Sequence, residues 1–171
     1  MPIAAPIPTN EQARLGALYS YEILDTPAEE SFDRITLLAS QICDAPIALV
    51  SLVDEARQWF KSRHGLKAEQ TDRSLAFCAH AILTDQTFVV TDATRDPRFC
   101  DSPLVTGPPD IRAYAGAPLI ADEGVRLGTL CVICREPTLF TRRQLRQLES
   151  LAAITVDTLV LRRALNNSCP R

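Results

Sequence analysis

Cysteine and histidine side chains are the groups in this sequence best suited to redox chemistry or metal binding. The chain has 171 residues, with six cysteines and two histidines. Cys131 and Cys134 have the spacing of a C-x-x-C motif, but both belong to one apolar run that predicts a strand. Residues three apart on a strand point to opposite faces, with Cα atoms about 10 Å apart, whereas a disulfide needs about 7 Å or less. We therefore predict neither a redox pair nor a zinc site at this motif.

Cys78 and His80 lie in a segment, residues 74–83, that predicts a short helix. His80 can titrate near neutral pH and so respond to the charge of a ligand. The alternative is a histidine held by hydrogen bonds within the fold. A Cys/His metal site needs more ligands than these two residues, and no carboxylate lies close to them in the sequence. No metal site is expected.

Charged residues cluster between Asp92 and Arg98. The guanidinium fork of Arg98 is suited to a carboxylate or phosphate ligand. Asp92, Arg95, Asp96 and Arg98 can instead pair with one another inside the segment, and we favour this self-contained network. Asp96 and Arg98 stay among the candidate binding residues.

Aromatic residues provide the remaining candidate contacts to a ligand. Trp59 and Phe60 are neighbours on a predicted strand, so only one of them can face a cavity. We select Trp59, because its indole combines a large stacking surface with one N–H donor; packing at a sheet edge explains it equally well. Tyr114 offers a ring and a hydroxyl, with core packing as the alternative.

Composition excludes several classes of function. The formal net charge of -3 gives no reason to expect a nucleic-acid partner. The first ten residues lack the basic and apolar regions of a secretion signal, and no apolar run is long enough to cross a bilayer. A cytoplasmic protein with reduced thiols is expected. We find no paired carboxylates, phosphate loop or Ser/His/Asp set, and therefore predict no catalytic residue.

Apolar periodicity predicts the main elements. Three threonines, Thr9, Thr26 and Thr141, begin capping-box patterns that mark helix starts. The helices are expected at residues 11–20, 27–43, 74–83 and 142–165, and the strands at residues 47–53, 58–63, 87–91, 113–121 and 127–134.

The last two strands form the centre of the predicted fold. They are joined by Asp122-Glu123-Gly124, which predicts a β-hairpin. The second strand is apolar on both sides and must be covered on both faces. The element order predicts an α+β, three-layer α/β/α fold, with a central antiparallel sheet of five or six strands, terminal helices on one face and short helices and loops on the other. Gly116 and Gly128 either admit a ligand or another backbone, or only relieve crowding.

The chain is expected to form one domain at residues 9–165, with a flexible segment at residues 1–8 and a flexible tail at residues 166–171. The last helix has more apolar surface than one sheet face requires, which is typical of a helix that also packs on a partner. We therefore predict a homodimer. Its expected interface consists of Leu15, Leu148, Ala152 and Leu159.

A series of motifs resembles the bacterial GAF domains that precede histidine kinase and diguanylate cyclase modules. The resemblance covers about residues 10–163. One difference is Cys134, where relatives usually carry Asp. The matching motifs are Tyr21-x-Ile23-Leu24-Asp25-Thr26, Phe32-Asp33, Val53-Asp54, Arg57-Gln58-Trp59-Phe60, Phe77-Cys78-Ala79-His80, Asp96-Pro97-Arg98-Phe99, Tyr114-Ala115-Gly116-Ala117-Pro118-Leu119 and Gly128-Thr129-Leu130-Cys131-Val132.

This resemblance implies a regulatory module that binds a small molecule or dimerises. It places the cavity on the sheet face away from the terminal helices, roofed by residues 74–83 and 92–105. The ligand is unidentified, and the cofactor is unknown. The candidate ligand-binding residues are Trp59, Phe77, Cys78, His80, Asp96, Arg98, Phe99, Tyr114, Gly116 and Cys131.

The predicted function is a non-enzymatic sensory domain that signals through dimerisation of its terminal helices, with a histidine kinase or cyclase module as a candidate output partner. Two alternatives follow from the resemblance. One is a free methionine sulfoxide reductase using cysteines such as Cys78, Cys100 and Cys131, although these do not align with that reductase's pattern. The other is a dimerisation scaffold without a ligand. Bilin attachment is disfavoured, because Ala79 rather than His follows Cys78.

Overall fold

The structure is a computed structural model that describes residues 1–169. Within this range the four helices and five strands expected above occur in that order, together with one short helix and one short strand. The helices are α1 (Glu11–Ser20), α2 (Glu30–Cys43), α3 (Phe77–Ala81), α4 (Pro103–Thr106) and α5 (Arg142–Ser168). The strands are β1 (Ile47–Val53), β2 (Arg57–His64), β3 (Gln70–Asp72), β4 (Phe88–Val90), β5 (Ala113–Ile120) and β6 (Arg126–Cys134).

The strands form one six-stranded antiparallel sheet in the order β3-β2-β1-β6-β5-β4. The predicted α+β architecture is confirmed. Strand β6 is central, between β1 and β5, and its residues Leu127–Cys134 are all buried. Cys131 packs on one side of the sheet and Cys134 on the other, as the C-x-x-C argument predicted. The additional strand β3 was not among the predicted strands, because its three residues are polar and show no apolar alternation.

Helices α1, α2 and α5 cover one face of the sheet, here called the helix face. Their buried residues include Leu18, Phe32 and Leu148. Leu148, Ala152 and Leu159 are 0%, 3% and 1% exposed in this core. The predicted dimer interface is therefore wrong for these three residues: the stripe at helical spacing faces the chain's own sheet. Leu15 is partly buried against the same core.

The opposite, roofed face is covered by α3, α4 and the loops around them. The segment predicted as one helix at residues 74–83 is a 3₁₀ turn at Arg73–Leu75 followed by α3. Phe77 and Phe99 from these roof segments pack onto Tyr114 and Cys131 from the sheet.

A β-bulge in β2 decides which aromatic residue faces the roof. Val50 pairs with Ser62 and Ser51 with Phe60, so Lys61 is an extra residue. Trp59 packs into the helix-face core and Phe60 into the roofed core. The selection of Trp59 as the cavity residue was therefore wrong, because the size of the indole says nothing about which face its strand position occupies.

Only one of the three predicted capping boxes forms. Thr141 Oγ1 accepts from Gln144 N at 3.1 Å, and Gln144 Oε1 accepts from Thr141 N at 2.9 Å. Thr26 instead donates to Ile23 O and accepts from Lys61 Nζ at 2.8 Å. Because its oxygen serves a buried lysine, α2 begins three residues later than predicted, at Glu30.

The N-terminal segment, predicted to be flexible, lies against the roof. Ile3 N donates to Arg98 O at 3.1 Å, and Ile3 O lies 3.0 Å from His80 Nε2. At the other end α5 continues to Ser168, three residues beyond its predicted end at residue 165. Residues 170–171 of the predicted tail lie outside the described residues. Within residues 1–169, no helix has both the length and the apolar composition needed to span a membrane.

Candidate functional site

Aromatic rings fill most of the space between the sheet and α3. The rings of Phe77 and Phe99 stack with centroids 3.9 Å apart, and Phe77 lies 5.3 Å from Tyr114. A space of about 20 Å³ remains beside Phe77, Cys78, Tyr114 and Cys131, here called the inner space. This is enough for about one water molecule. The region directly under α3 therefore has no room for a larger ligand.

Gly116 and Gly128 make room for the chain itself. A Cβ atom on Gly116 would lie 2.2 Å from the Tyr114 hydroxyl, and one on Gly128 would lie 1.9 Å from Ser51 O. Both positions are thus filled by protein atoms, which agrees with the crowding interpretation. Gly116 acts on the site indirectly, by allowing the Tyr114 side chain to lie along its strand.

Cys78 and Cys131 meet hydroxyl groups at the inner space. Cys78 Sγ lies 3.1 Å from Tyr114 Oη, accepts from Thr129 Oγ1 at 3.1 Å and is 4.0 Å from Cys131 Sγ. Burial alone would raise the pKa of Cys78, but its hydrogen bonds with Cys131, Ser51, Thr129 and Tyr114 outweigh this effect and lower the pKa to about 6. The hydrogen bond with Cys78 and burial raise the pKa of Cys131, so Cys78 is the more acidic thiol.

A much larger pocket of about 450 Å³ adjoins the inner space, and we call it the outer pocket. Five residues line both spaces: Leu49, Gln58, Leu104, Ile111 and Ile133. None of the ten predicted binding residues lines the outer pocket, whereas Phe77, Cys78, Tyr114 and Cys131 line the inner space. The other residues around the outer pocket are Phe60, Gly65, Leu66, Lys67, Ala68, Thr71, Pro108, Pro109 and Arg135.

The outer pocket has an apolar floor and a basic rim. Its buried amide, Gln58, accepts from Ser51 Oγ at 3.1 Å and donates to Thr71 Oγ1 at 2.5 Å. Lys67 and Arg135 are exposed at the rim, and no acidic residue lines the pocket. Within residues 1–169 neither cation forms an ion pair. Such a pocket favours a ligand with an apolar body and a negative charge.

The segment from Asp92 to Arg98 matches the self-contained network. Arg98 donates to Asp96 through Nε at 2.9 Å and Nη2 at 2.6 Å, and its guanidinium lies 4.9 Å from the centre of the Phe88 ring. The hydrogen bond with Arg98 lowers the pKa of Asp96, and the same bond raises the pKa of Arg98. Arg98 is therefore already paired with Asp96 and packed against Phe88.

His80 is likewise engaged within the fold. Burial lowers the pKa of His80 below its usual value, although the hydrogen bond to Ile3 O opposes this. His80 therefore holds the N-terminal segment in place. This agrees with the alternative that His80 is held by hydrogen bonds within the fold. Within residues 1–169 no three His, Cys, Asp or Glu side chains come together as a metal site.

A second pocket, of about 460 Å³, lies between β2 and the segment that leads into α2. It is similar in size to the outer pocket, but its polar side chains already form hydrogen bonds and ion pairs within the fold. Lys61 Nζ lies 2.5 Å from Glu29 Oε2, and Ser62 Oγ donates to Asp33 Oδ1 at 2.6 Å. These bonds tie β2 to α2, so we assign this pocket a structural role and take the outer pocket as the candidate site.

Comparison with known proteins agrees with the fold described above. The profile of the GAF domain matches residues 27–156. The chain belongs to the GAF domain family. The sequence resemblance is thereby confirmed, and the family includes sensory members. GAF residues 27–156 contain all of the outer and inner pocket residues named above.

One curated relative and several solved structures are similar to this GAF domain. A cyclic di-GMP phosphodiesterase of Pseudomonas aeruginosa is 43% identical over 162 residues, which are 94% of this chain but only 28% of that protein. The GAF domain of an Acinetobacter phosphoenolpyruvate-protein phosphotransferase has a TM-score of 0.65 at 17% identity, covering 91% of this chain and 98% of that chain. The type II free methionine-R-sulfoxide reductase of Thermoplasma acidophilum has a TM-score of 0.63 at 11% identity, covering 76% and 90%. At these identities the two structures support the fold alone.

Proposed function

We propose that this GAF domain is a non-enzymatic, cytoplasmic sensory domain whose ligand is a small molecule with an apolar body and a negatively charged group. The observation that carries the proposal is the outer pocket, with its volume of about 450 Å³, apolar floor and basic rim. Ligand pockets in proteins have volumes of roughly 300–1,000 Å³ and are mostly apolar, with a few polar groups that orient the ligand. Lys67 and Arg135 are the groups that fix the ligand's charged end.

The first test uses 1-anilinonaphthalene-8-sulfonate, a fluorescent probe with an apolar body and one negative charge. We expect saturable binding to the folded protein, competed by octanoate. The double variant Lys67→Glu, Arg135→Glu should weaken probe binding by about tenfold or more, because two rim attractions become repulsions. The matched control is Arg142→Glu, Arg146→Glu, which reverses two charges in a surface cleft on α5.

Equal binding by both double variants and the wild type would contradict the charged-rim assignment. Unchanged melting temperatures would show that the variants are folded. A probe signal that does not saturate would contradict the pocket as the binding site.

We infer that the domain signals as a homodimer through the exposed side of α5. Ile154, Leu161 and Leu165 are 49%, 60% and 62% exposed, and Thr158 lies between the first two. Their spacing of four, three and four residues is the heptad spacing with which two identical helices pack together. This surface, the α5 stripe (Ile154, Thr158, Leu161 and Leu165), replaces the interface predicted from the sequence.

The proposed output partner is an enzyme of cyclic di-GMP turnover or a histidine kinase. The 43% identity to a cyclic di-GMP phosphodiesterase, over 94% of this chain, supports the first choice. Because the chain spans 28% of that relative, a regulatory role beside such an activity fits better than the activity itself.

The geometry does not favour the reductase alternative. Cys78 and Cys131 border an inner space of about 20 Å³, which is too small for methionine sulfoxide. We expect no thiol-dependent loss of free methionine sulfoxide in the presence of the protein. Turnover that disappears in Cys→Ser variants would contradict the non-enzymatic proposal. The open volume of the outer pocket likewise argues against a scaffold without a ligand.

A further inference from the structure

Two buried thiols under the roof helix have no role in the proposed ligand binding. Cys78 on α3 and Cys131 on β6 are 2% and 0% exposed, and their sulfur atoms lie 4.0 Å apart although 53 residues separate them in the chain. We propose that Cys78 and Cys131 form a peroxide-sensitive pair that closes to an intramolecular disulfide. This inference concerns a second site and stands independently of the proposed ligand.

The geometry allows closure with a small local movement. A disulfide requires the two sulfur atoms to approach to about 2 Å. Helix α3 is only five residues long and is flanked by short turns, so it can move towards β6 more easily than a strand of the sheet can move. His80 on the same helix contacts Ile3 O, so closure also acts on the element that holds the N-terminal segment.

The surroundings of Cys78 favour its thiolate, which is the reactive form of cysteine. Tyr114 Oη lies 3.1 Å from Cys78 Sγ, and Thr129 Oγ1 donates a hydrogen bond to the same sulfur at 3.1 Å. Cys131 Sγ lies 4.0 Å from it. The buried cysteines on the helix face differ: burial raises the pKa of Cys43 to about 11 and also raises that of Cys134. Cys78 thus differs from these two buried thiols because the hydroxyl groups of Tyr114 and Thr129 surround its sulfur.

The small volume of the inner space limits the size of the oxidant that can reach Cys78. With a volume of about 20 Å³, it admits a molecule little larger than water, and it shares five lining residues with the outer pocket. Hydrogen peroxide can reach Cys78 by this route. Glutathione disulfide and aromatic disulfide reagents are too large to do so while the protein is folded.

The proposed reaction consumes one peroxide molecule. The Cys78 thiolate attacks one peroxide oxygen, the O–O bond breaks, and the departing hydroxide takes up the proton that Cys78 released, giving water and Cys78 sulfenic acid. The Cys131 sulfur then attacks the Cys78 sulfur. The S–S bond forms, the S–O bond breaks, and the hydroxyl leaves as water with the proton from Cys131. Two thiols are oxidised by two electrons in total, and hydrogen peroxide is reduced to two waters.

The test is mass spectrometry of the full chain after peroxide treatment, quenching with N-ethylmaleimide under denaturing conditions and digestion with trypsin. We expect a peptide pair linked through Cys78 and Cys131, formed about tenfold faster than any modification of Cys43, because thiolate content governs the rate. Glutathione disulfide should not produce this link in folded protein. In Cys131→Ser, dimedone should label Cys78, because the sulfenic acid has no thiol to resolve it.

Cys43→Ser is the matched control, since it removes a buried thiol from the other face and should leave the link unchanged. Cys78→Ser should leave Cys131 unmodified. The comparison of Cys78 with Cys43 in the wild type needs no variant, so the test does not depend on how the variants fold. The proposal is overturned if Cys78 in folded wild type reacts no faster than Cys43, or if peroxide links only the exposed Cys100 and Cys169.

Discussion

Glu11 and Arg14 of α1 form a largely buried charged network with Arg73, which is distant in the sequence. Arg14 is 0% exposed, donates to Glu11 through Nε and Nη2 at 2.8 Å each, and donates to Val53 O at 2.7 Å. Arg73 Nη1 donates to Glu11 Oε1 at 2.5 Å. Burial alone would raise the pKa of Glu11, but hydrogen bonds from Arg14 and Arg73 outweigh it and lower the pKa from 4.5 to about 2. The network fixes α1 against the sheet.

We predict that Glu11→Gln lowers the free energy of unfolding at pH 7 by about 3 kcal/mol, since one pKa unit corresponds to about 1.4 kcal/mol. The folded-state pKa is depressed, so the stabilisation is present above the unfolded pKa of 4.5 and is lost as pH falls towards about 2. Urea unfolding should therefore show the difference between wild type and variant falling to less than about half by pH 3.

The control is Glu30→Gln, because Glu30 pairs with Arg34 on the surface and its side chain is 78% exposed. It should change the unfolding free energy by less than about 0.5 kcal/mol. A Glu11→Gln effect as small as this control, or one that does not depend on pH, would contradict the buried network.

This network was not predictable from the sequence, whereas the role of Gly116 partly was. Glu11 and Arg14 are three residues apart and resemble an ordinary surface pair on a helix. Their burial depends on Arg73, which is 62 residues from Glu11. Gly116 was singled out because an isolated glycine in a strand often marks a close approach, and the Tyr114 hydroxyl supplies that approach.

At the scale of elements, apolar periodicity located nearly every helix and strand but not the face that each residue occupies. The bulge at Lys61 and the loss of the Thr26 cap have one cause. Lys61 Nζ donates to Thr26 Oγ1 at 2.8 Å and to Pro27 O at 2.6 Å, so one buried lysine shapes both β2 and the start of α2. No local sequence pattern predicts this contact, because Lys61 and its partners are about 35 residues apart.

For helix α5 too, apolar periodicity did not reveal which side of the helix faces the sheet. Two apolar stripes run along it, and the stripe containing Leu148 and Leu159 faces the sheet. We predict that Ile154→Asp, Leu161→Asp converts a dimer into monomers in analytical ultracentrifugation, because two charges would enter a helix–helix contact that excludes water.

Ser150→Asp is the control, because Ser150 is an exposed residue of the same helix and lies outside the α5 stripe. It should remain dimeric. A dimer that survives the double substitution, or a wild type that is monomeric at all concentrations, would contradict the α5 stripe as the interface.

For the whole molecule, the sheet separates two kinds of interior. The helix face is an apolar core, whereas the roofed face contains Cys78, Cys131, the hydroxyls of Tyr114 and Thr129, and the outer pocket. The family resemblance placed the roof correctly at residues 74–83 and 92–105. It missed the outer pocket, because Leu66 and Ile111 come together from separate loops whose approach depends on the complete fold.

The most direct test of the sensory proposal is a methyl NMR titration of the protein with octanoate, which has an apolar chain and one carboxylate. We predict saturable shifts at the pocket methyl groups of Leu49, Leu66 and Ile111, and none at the core methyl groups of Leu148 and Leu159. Shifts confined to Leu148 and Leu159, or no shifts at any octanoate concentration, would contradict it.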